Sequence, residues 1–279
     1  MFYKALAPGC IGHGVSFADA AGLAAQYGFE GYWFDAGLDF VGDPDKVKAL
    51  LDRHGLKAAG FGLPVEFRMG DDIYKEGMAK LPALLDFAEK IGAARCATWI
   101  MPAHNSLCFE ENFELHRGRL QPAAKMLEDR GMLFGLEFVG PKKSRLRAKH
   151  EFIYDLDGML GLCGTIGTKN CGILMDAWHW HMAGQVFDDF DKFTSPDLIA
   201  CVHIMDAPLN IPDDEQEDSV RRLPGATGVI HIDEFFAGLA KIGYEGPVLA
   251  EPFEKFLSKI TFEDALRITK ASIDKVWPE

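Results

Sequence analysis

The sequence predicts a single (β/α)8 TIM barrel, on three observations. Short apolar strands alternate with helical segments about eight times along 279 residues, the count and length that such a barrel needs. The strands are apolar on both faces, as parallel strands covered by helices must be. The competing architecture, an open doubly wound sheet, usually begins with a glycine-rich phosphate loop. Here the first glycines, in GCIGHGV, do not fall at G-x-G-x-x-G spacing. No Ser/Gly-rich linker, low-complexity tract or shift of composition divides the chain, so residues 1–279 are read as one domain.

The elements follow in order. A first strand is expected near Pro8 to His13. SFADAAGLAAQYG reads as a helix with Ser16 at its N-cap, where a hydroxyl can accept from an orphaned first-turn amide. GYWFDAG is the second strand. DPDKVKALLDRHG is a helix with Asp43 as cap, Pro44 in the first turn, where no donor is lost, and Gly55 at its stop. KAAGFGLPV is the third strand, a helix covers roughly Asp72 to Ile91, and RCATWIMP is the fourth strand. A helix from about Glu111 to Gly131 precedes the fifth strand, MLFGLEFVG. Helical sequence from about Glu151 to Gly164 leads to the sixth, CGILMDAWH. A shorter helical stretch precedes IACVHIMDA, the seventh. HIDEFFAGLAKIGYEG is a helix, PVLAEPF the eighth strand, and TFEDALRITKASIDKVW a closing amphipathic helix.

Composition excludes several partners. The formal net charge is -13, which opposes binding to the phosphates of nucleic acid or to an anionic membrane surface. No run approaches the roughly 18 apolar residues of a membrane span. The N-terminus, MFYKALAPGC, has no charged segment followed by a long apolar stretch, so the expected location is cytoplasmic. The six cysteines form no C-x-x-C pair and sit in apolar runs, as buried free thiols do. A homo-oligomer is compatible with this composition.

Four successive strands, the fifth to the eighth, end in a possible metal ligand: Glu137, Asp176, His203 and Glu251. Residues two apart in a strand share a face. Glu137 therefore lies on the side of Gly135, Asp176 on that of Leu174, His203 on that of Cys201 and Glu251 on that of Leu249. Neighbouring parallel strands are about 4.8 Å apart and curve inward in a barrel, so four consecutive mouth positions can converge on one ion. Three carboxylates and one imidazole favour one divalent cation of the Mn²⁺, Mg²⁺ or Co²⁺ kind, Mn²⁺ first, over Zn²⁺.

The segments GLEF, MDAWH, HIMDAP and RRLPGATGVIHIDEFFAGLAKIGYEGPVLAEPF resemble the xylose isomerase-like barrel superfamily. Within it they look like the sugar phosphate isomerase/epimerase branch, which includes ketose 3-epimerases, hydroxypyruvate isomerases and inosose dehydratases. The resemblance covers most of the chain. It implies that Glu137, Asp176, His203 and Glu251 are the metal ligands, and that Glu137 and Glu251 are also the proton-transfer pair. It implies too that His179 and Arg222 bind substrate oxygens. The expected activity is isomerisation or epimerisation of a small sugar or hydroxy-keto compound through an enediolate. A dehydratase would use the same enolate, and an endonuclease IV-like phosphodiesterase is a further branch with more histidines and a basic face. The chain departs from the epimerase pattern twice. Lys143 stands where those enzymes carry a second acid six positions after the first ligand, and an acidic stretch lengthens the loop from Asn210 to Val220.

Other residues are weaker candidates. The loop after the fifth strand carries Lys142, Lys143, Arg145, Arg147 and Lys149, which read first as a solvated basic face and otherwise as an attractor for an anionic substrate. His104, in MPAHN, is a candidate for the pocket wall and for substrate binding. Trp178, Trp180 and His181 follow the sixth-strand ligand as packing or as the wall of a sugar site. Arg68 follows the third strand, and Trp33 and Phe34 read as structural.

Overall fold

Eight short strands pair in parallel and close on themselves in the computed structural model, which describes residues 1–278. In chain order the strands are β1 (Tyr3–Leu6), β2 (Gly31–Phe34), β3 (Lys57–Gly62), β4 (Arg95–Trp99), β5 (Ala103–His104), β6 (Leu133–Glu137), β7 (His150–Glu151), β8 (Cys171–Asp176), β9 (Ile199–Ile204) and β10 (Pro247–Ala250). The barrel runs β1-β2-β3-β4-β6-β8-β9-β10 and returns to β1, while β5 and β7 form a separate antiparallel pair. The helices are α1 (Phe17–Gln26), α2 (Ala36–Asp39), α3 (Pro44–His54), α4 (Asp71–Ile91), α5 (Phe109–Glu128), α6 (Lys142–Arg145), α7 (Leu156–Ile166), α8 (Ala177–Met182), α9 (Ile232–Lys241) and α10 (Phe262–Val276). The barrel predicted from the sequence is thus the one observed.

Local signals decide most boundaries. The Ser16 hydroxyl accepts from the Asp19 amide to start α1. Asp43 accepts from Asp45 with Pro44 in the first turn of α3, and Gly55 ends that helix in the left-handed region. The first strand is the exception. It lies at Tyr3–Leu6, and Pro8–Ile11 is instead a turn of 3-10 helix. Pro8 donates no amide to a ladder, and Gly12, at φ 84, closes the turn.

The interior of the barrel is small. Tyr3, Ala5, Ala7, Ala59, Ala97, Leu174, Cys201 and Leu249 pack there, with Trp33 and Cys10 against them. An eight-stranded barrel is only just wide enough for side chains to fill, so alanine and glycine dominate. A Cβ on Gly135 would lie 2.8 Å from that of Ala200 and 3.0 Å from the Leu174 amide nitrogen, so β6 approaches β8 and β9 as glycine alone allows. The larger apolar cluster lies between barrel and helices. Leu174, Cys201 and Leu249 point inward as parity required, which turns Asp176, His203 and Glu251 into the mouth.

Asp206 organises the chain beyond β9. It is fully buried, and its carboxylate accepts from the amides of Ala207, Thr227, Gly228 and Ile230 at 2.7–3.1 Å. Its own amide and carbonyl pair with Arg222 at 2.9 and 2.8 Å. Burial alone would raise this carboxyl, but the amides of Thr227, Gly228 and Ile230 outweigh it and hold the carboxyl below its usual range. A depressed carboxylate stabilises the fold fully above its unfolded value, about 3.9, and loses that contribution as pH falls through the folded value. The stability lost on acidification below about pH 4 should therefore be smaller in Asp206→Asn than in the wild type. Urea midpoints measured at neutral pH and near pH 3 give that difference; parallel curves would mean that the Asp206 charge does not hold the loop.

Candidate active site

Glu137 and Asp176 end β6 and β8, His203 is the penultimate residue of β9, and Glu251 directly follows β10. Its amide continues the barrel ladder to the Ile204 carbonyl at 3.2 Å. One donor atom from each of the four residues falls within 4.8 Å of the others. Two ligands opposite one another at about 2.1 Å from an ion are about 4.2 Å apart, so a slight contraction seats a cation. Among the described residues this is the one such cluster.

The donors are arranged as ligands rather than as a closed hydrogen-bond network. Glu137 Oε1 and His203 Nδ1 are buried without a hydrogen-bond partner. Nδ1 lies 3.5 Å from Glu251 Oε2 and 3.8 Å from both Glu137 Oε1 and Asp176 Oδ2, close in charge but not in bonding geometry. Buried polar atoms left open in this way are uncommon and here face one point. The residues present therefore fit a divalent cation.

Charge in the site is unbalanced. Burial pushes the Glu137 carboxyl well above the usual range, and the charges of Asp176 and Glu251 add to that. Burial would also raise Glu251, yet the neighbouring His203 and Arg221 hold it down at about 2. Among the described residues, Arg221 is the one guanidinium paired with these acids. It is 1% exposed and donates from Nη1 to Asp176 Oδ2 and Glu251 Oε2, each at 3.0 Å. Its Nη2 donates to Asp218 Oδ1 at 2.6 Å and contacts His179 Nε2 at 3.1 Å. The ring of Phe253 covers its plane at 4.6 Å.

Arg221, and not the Arg222 expected to bind substrate, lines the cavity. The antiparallel bridge between Asp206 and Arg222 fixes the backbone there and turns consecutive side chains to opposite sides. Arg222 thus lies outside the cavity, 3.7 Å from Glu254, and Arg221 enters it. His104 is likewise outside: its Nδ1 accepts from the Ser106 and Leu107 amides and shapes the turn before α5. His179 does line the cavity, on α8, where Asp176 Oδ1 accepts its amide as the N-cap. Burial lowers its imidazole, favouring the neutral form. Trp178 is fully buried packing, and His181 lies 3.5 Å from Asp213.

Glu137, His179, Asp218, Arg221 and Glu251 line a cavity of about 330 Å³. Its outer wall includes Trp99, Met101 and Phe253, all partly exposed. Asp218 was not foreseen as a site residue, because it lies within the acidic loop that reads as surface. That loop is tied to the basic one by Lys142–Asp214 at 2.8 Å and Lys143–Glu217 at 3.1 Å. On the opposite side the Cys10 thiol donates to Glu251 Oε1 at 3.5 Å.

Comparison with known proteins agrees with this architecture. The family described as xylose isomerase-like TIM barrel matches residues 21–274. An inosose isomerase of Bacillus velezensis is 23% identical over 224 residues, covering 80% of this chain and 76% of that one. The structure of a xylose isomerase domain protein from Alicyclobacillus acidocaldarius superposes with a TM-score of 0.88 at 25% identity, covering 99% of this chain and 98% of the other. A crystal structure of the IolI protein with a bound zinc atom superposes with a TM-score of 0.82 at 18% identity, covering 99% and 98%.

Asp176 caps α8 and is one of the four clustered donors that fit a cation, two roles that substitution can separate. Asp176→Asn keeps an acceptor for the His179 amide, whereas Asp176→Ala removes it. Both should lose affinity for a divalent cation on the order of 100-fold, since even outer partners of metal ligands are worth 10–100-fold. Only the alanine variant should also lose about 1 kcal/mol as a cap. Metal content after dialysis and thermal melts read the two effects; a full equivalent of Mn²⁺ retained by either variant would remove Asp176 from the ligand set.

Proposed function

The chain belongs to the xylose isomerase-like TIM barrel family, and from that premise we propose that it is a divalent-metal-dependent isomerase or epimerase of a small sugar or hydroxy-keto compound. The observation that carries the reading is the convergence of four donors within 4.8 Å at the floor of a cavity that two of them, Glu137 and Glu251, also line. Mn²⁺ is our first choice for the ion, and the zinc atom of the IolI structure makes Zn²⁺ worth equal testing. The inosose isomerase relatives support a cyclic keto-polyol as one substrate class to examine.

The bound ion would supply a Lewis acid beside the carbonyl and hydroxyl oxygens of the substrate. The chain supplies the rest. Glu137 ends β6 and Glu251 follows β10, with β8 and β9 between them, so they reach a bound substrate from different sides. One takes the proton from the carbon next to the carbonyl, giving an enediolate. The other returns a proton to the opposite face or to the adjacent carbon. Arg221 and His179 line the cavity with them; the Arg221 N–H groups are taken up by Asp176, Glu251, Asp218 and His179, so this side chain acts on charge developing at substrate oxygens through its own positive charge. Arg221 is held for this by Asp218. The half-exposed Trp99, Met101 and Phe253 give an apolar wall that limits water at the reacting carbons.

Exchange of the carbon-bound proton in D₂O, followed by NMR on ketoses and inososes, detects this chemistry even without net turnover. Glu137→Gln and Glu251→Gln should each slow it by roughly 10²–10⁴-fold, the usual worth of a positioned acid or base. Near-full exchange by Glu251→Gln with metal bound would overturn the assignment.

A further inference from the structure

We propose that Arg147, with Ser144 beside it, forms an anion-binding subsite at the outer end of the cavity, and that the substrate carries a carboxylate or phosphate there. This rests on the cavity being the active site and narrows the substrate it takes.

The basic run from Lys142 to Lys149 does not act as one patch. Lys142 and Lys143 are paired with Asp214 and Glu217. The Arg145 guanidinium lies over the Tyr154 ring at 4.1 Å. Arg147 and Ser144 alone of the run line the cavity. Arg147 makes no ion pair among the described residues, and Ser144 is 6% exposed at the wall beside it.

Depth gives this cation a direction. The inner end of the cavity is buried, with Glu137 at 7%, His179 at 2% and Arg221 at 1% exposure. Arg147 is exposed and shares the rim with Trp99, Met101 and Phe253. At the inner end Arg221 is already taken by Asp176, Asp218 and Glu251, and a bound dication would be taken by the four clustered donors, so no unpaired cation is left there for an anionic group. A substrate with an anionic tail is therefore turned tail outward, toward Arg147, and presents its hydroxy-ketone end to the two glutamates. The net charge of -13 makes a general attraction for anions an inadequate alternative.

The test is calorimetric binding of D-fructose, D-fructose 6-phosphate and 5-keto-D-gluconate to the full chain loaded with Mn²⁺. At least one of the two anionic ketoses should bind about tenfold tighter than D-fructose, as a charge-assisted contact allows. Which of the two gains more identifies the anionic group. Arg147→Gln should abolish the advantage and leave D-fructose binding unchanged, while Lys142→Gln should leave all three affinities as they were. No anionic advantage in the wild type overturns the proposal. So does an equal loss for D-fructose in Arg147→Gln, or an equal effect of Lys142→Gln, which would mark a diffuse field. Failure of the broader reading shows elsewhere, as absence of a bound cation and of deuterium exchange in the wild type.

Discussion

Everything in the mouth of this barrel answers to a local excess of buried negative charge. Glu137, Asp176, Glu251 and Asp218 face one small volume, and a single guanidinium, that of Arg221, stands among them. Charges removed from water must be paired or neutralised. The chain meets part of that demand with Arg221 and part by favouring the protonated form of Glu137. A dication held by the four clustered donors would meet the remainder. The open atoms, Glu137 Oε1 and His203 Nδ1, are where the demand is still visible.

That charge is held in place from below and from the side. From below, parallel pairing of β6, β8, β9 and β10 sets the height at which each ligand emerges, and small interior residues allow the strands to close tightly. From the side, Asp176 caps α8 while facing Arg221, so the first turn of that helix and the site share one carboxylate. His179 is carried on that turn. A chain segment that must both start a helix and hold a buried guanidinium leaves little freedom in its backbone, which is the condition for a preorganised site.

The convergence of Glu137, Asp176, His203 and Glu251 was legible because a strand has a fixed period and each of the four lies at or beside the end of one. Leu174 before Asp176 and Cys201 before His203 are enough to place both side chains on the inner face. Arg221 was not legible for the converse reason. Two adjacent arginines in a loop carry no period, and the choice between them depends on the bridge that Asp206 makes with Arg222. The first strand escaped too, because four residues, YKAL, with Ala5 and Tyr3 inward, lack the apolar weight of the later strands. Asp218 was hidden in a run of acids whose other members, Asp213, Asp214, Glu215 and Glu217, are surface charges.

The two departures from the epimerase pattern prove to be one feature. Lys143, standing where those enzymes carry an acid, pairs with Glu217 of the lengthened loop, and Lys142 pairs with Asp214 of the same loop. An acid at position 143 would repel that loop, and the shorter loop would leave Lys143 without its partner. The lengthened loop carries Asp218 and, just beyond it, Arg221, so the surface clasp and the buried guanidinium belong to one segment. Both ion pairs are exposed to water and contribute little each. They bias the loop toward the site without locking it. The anchors that fix Arg221 are buried ones, Asp176 and Glu251, and the Asp206 turn behind it. The buried charges of the site thus anchor this segment more firmly than its surface pairs do.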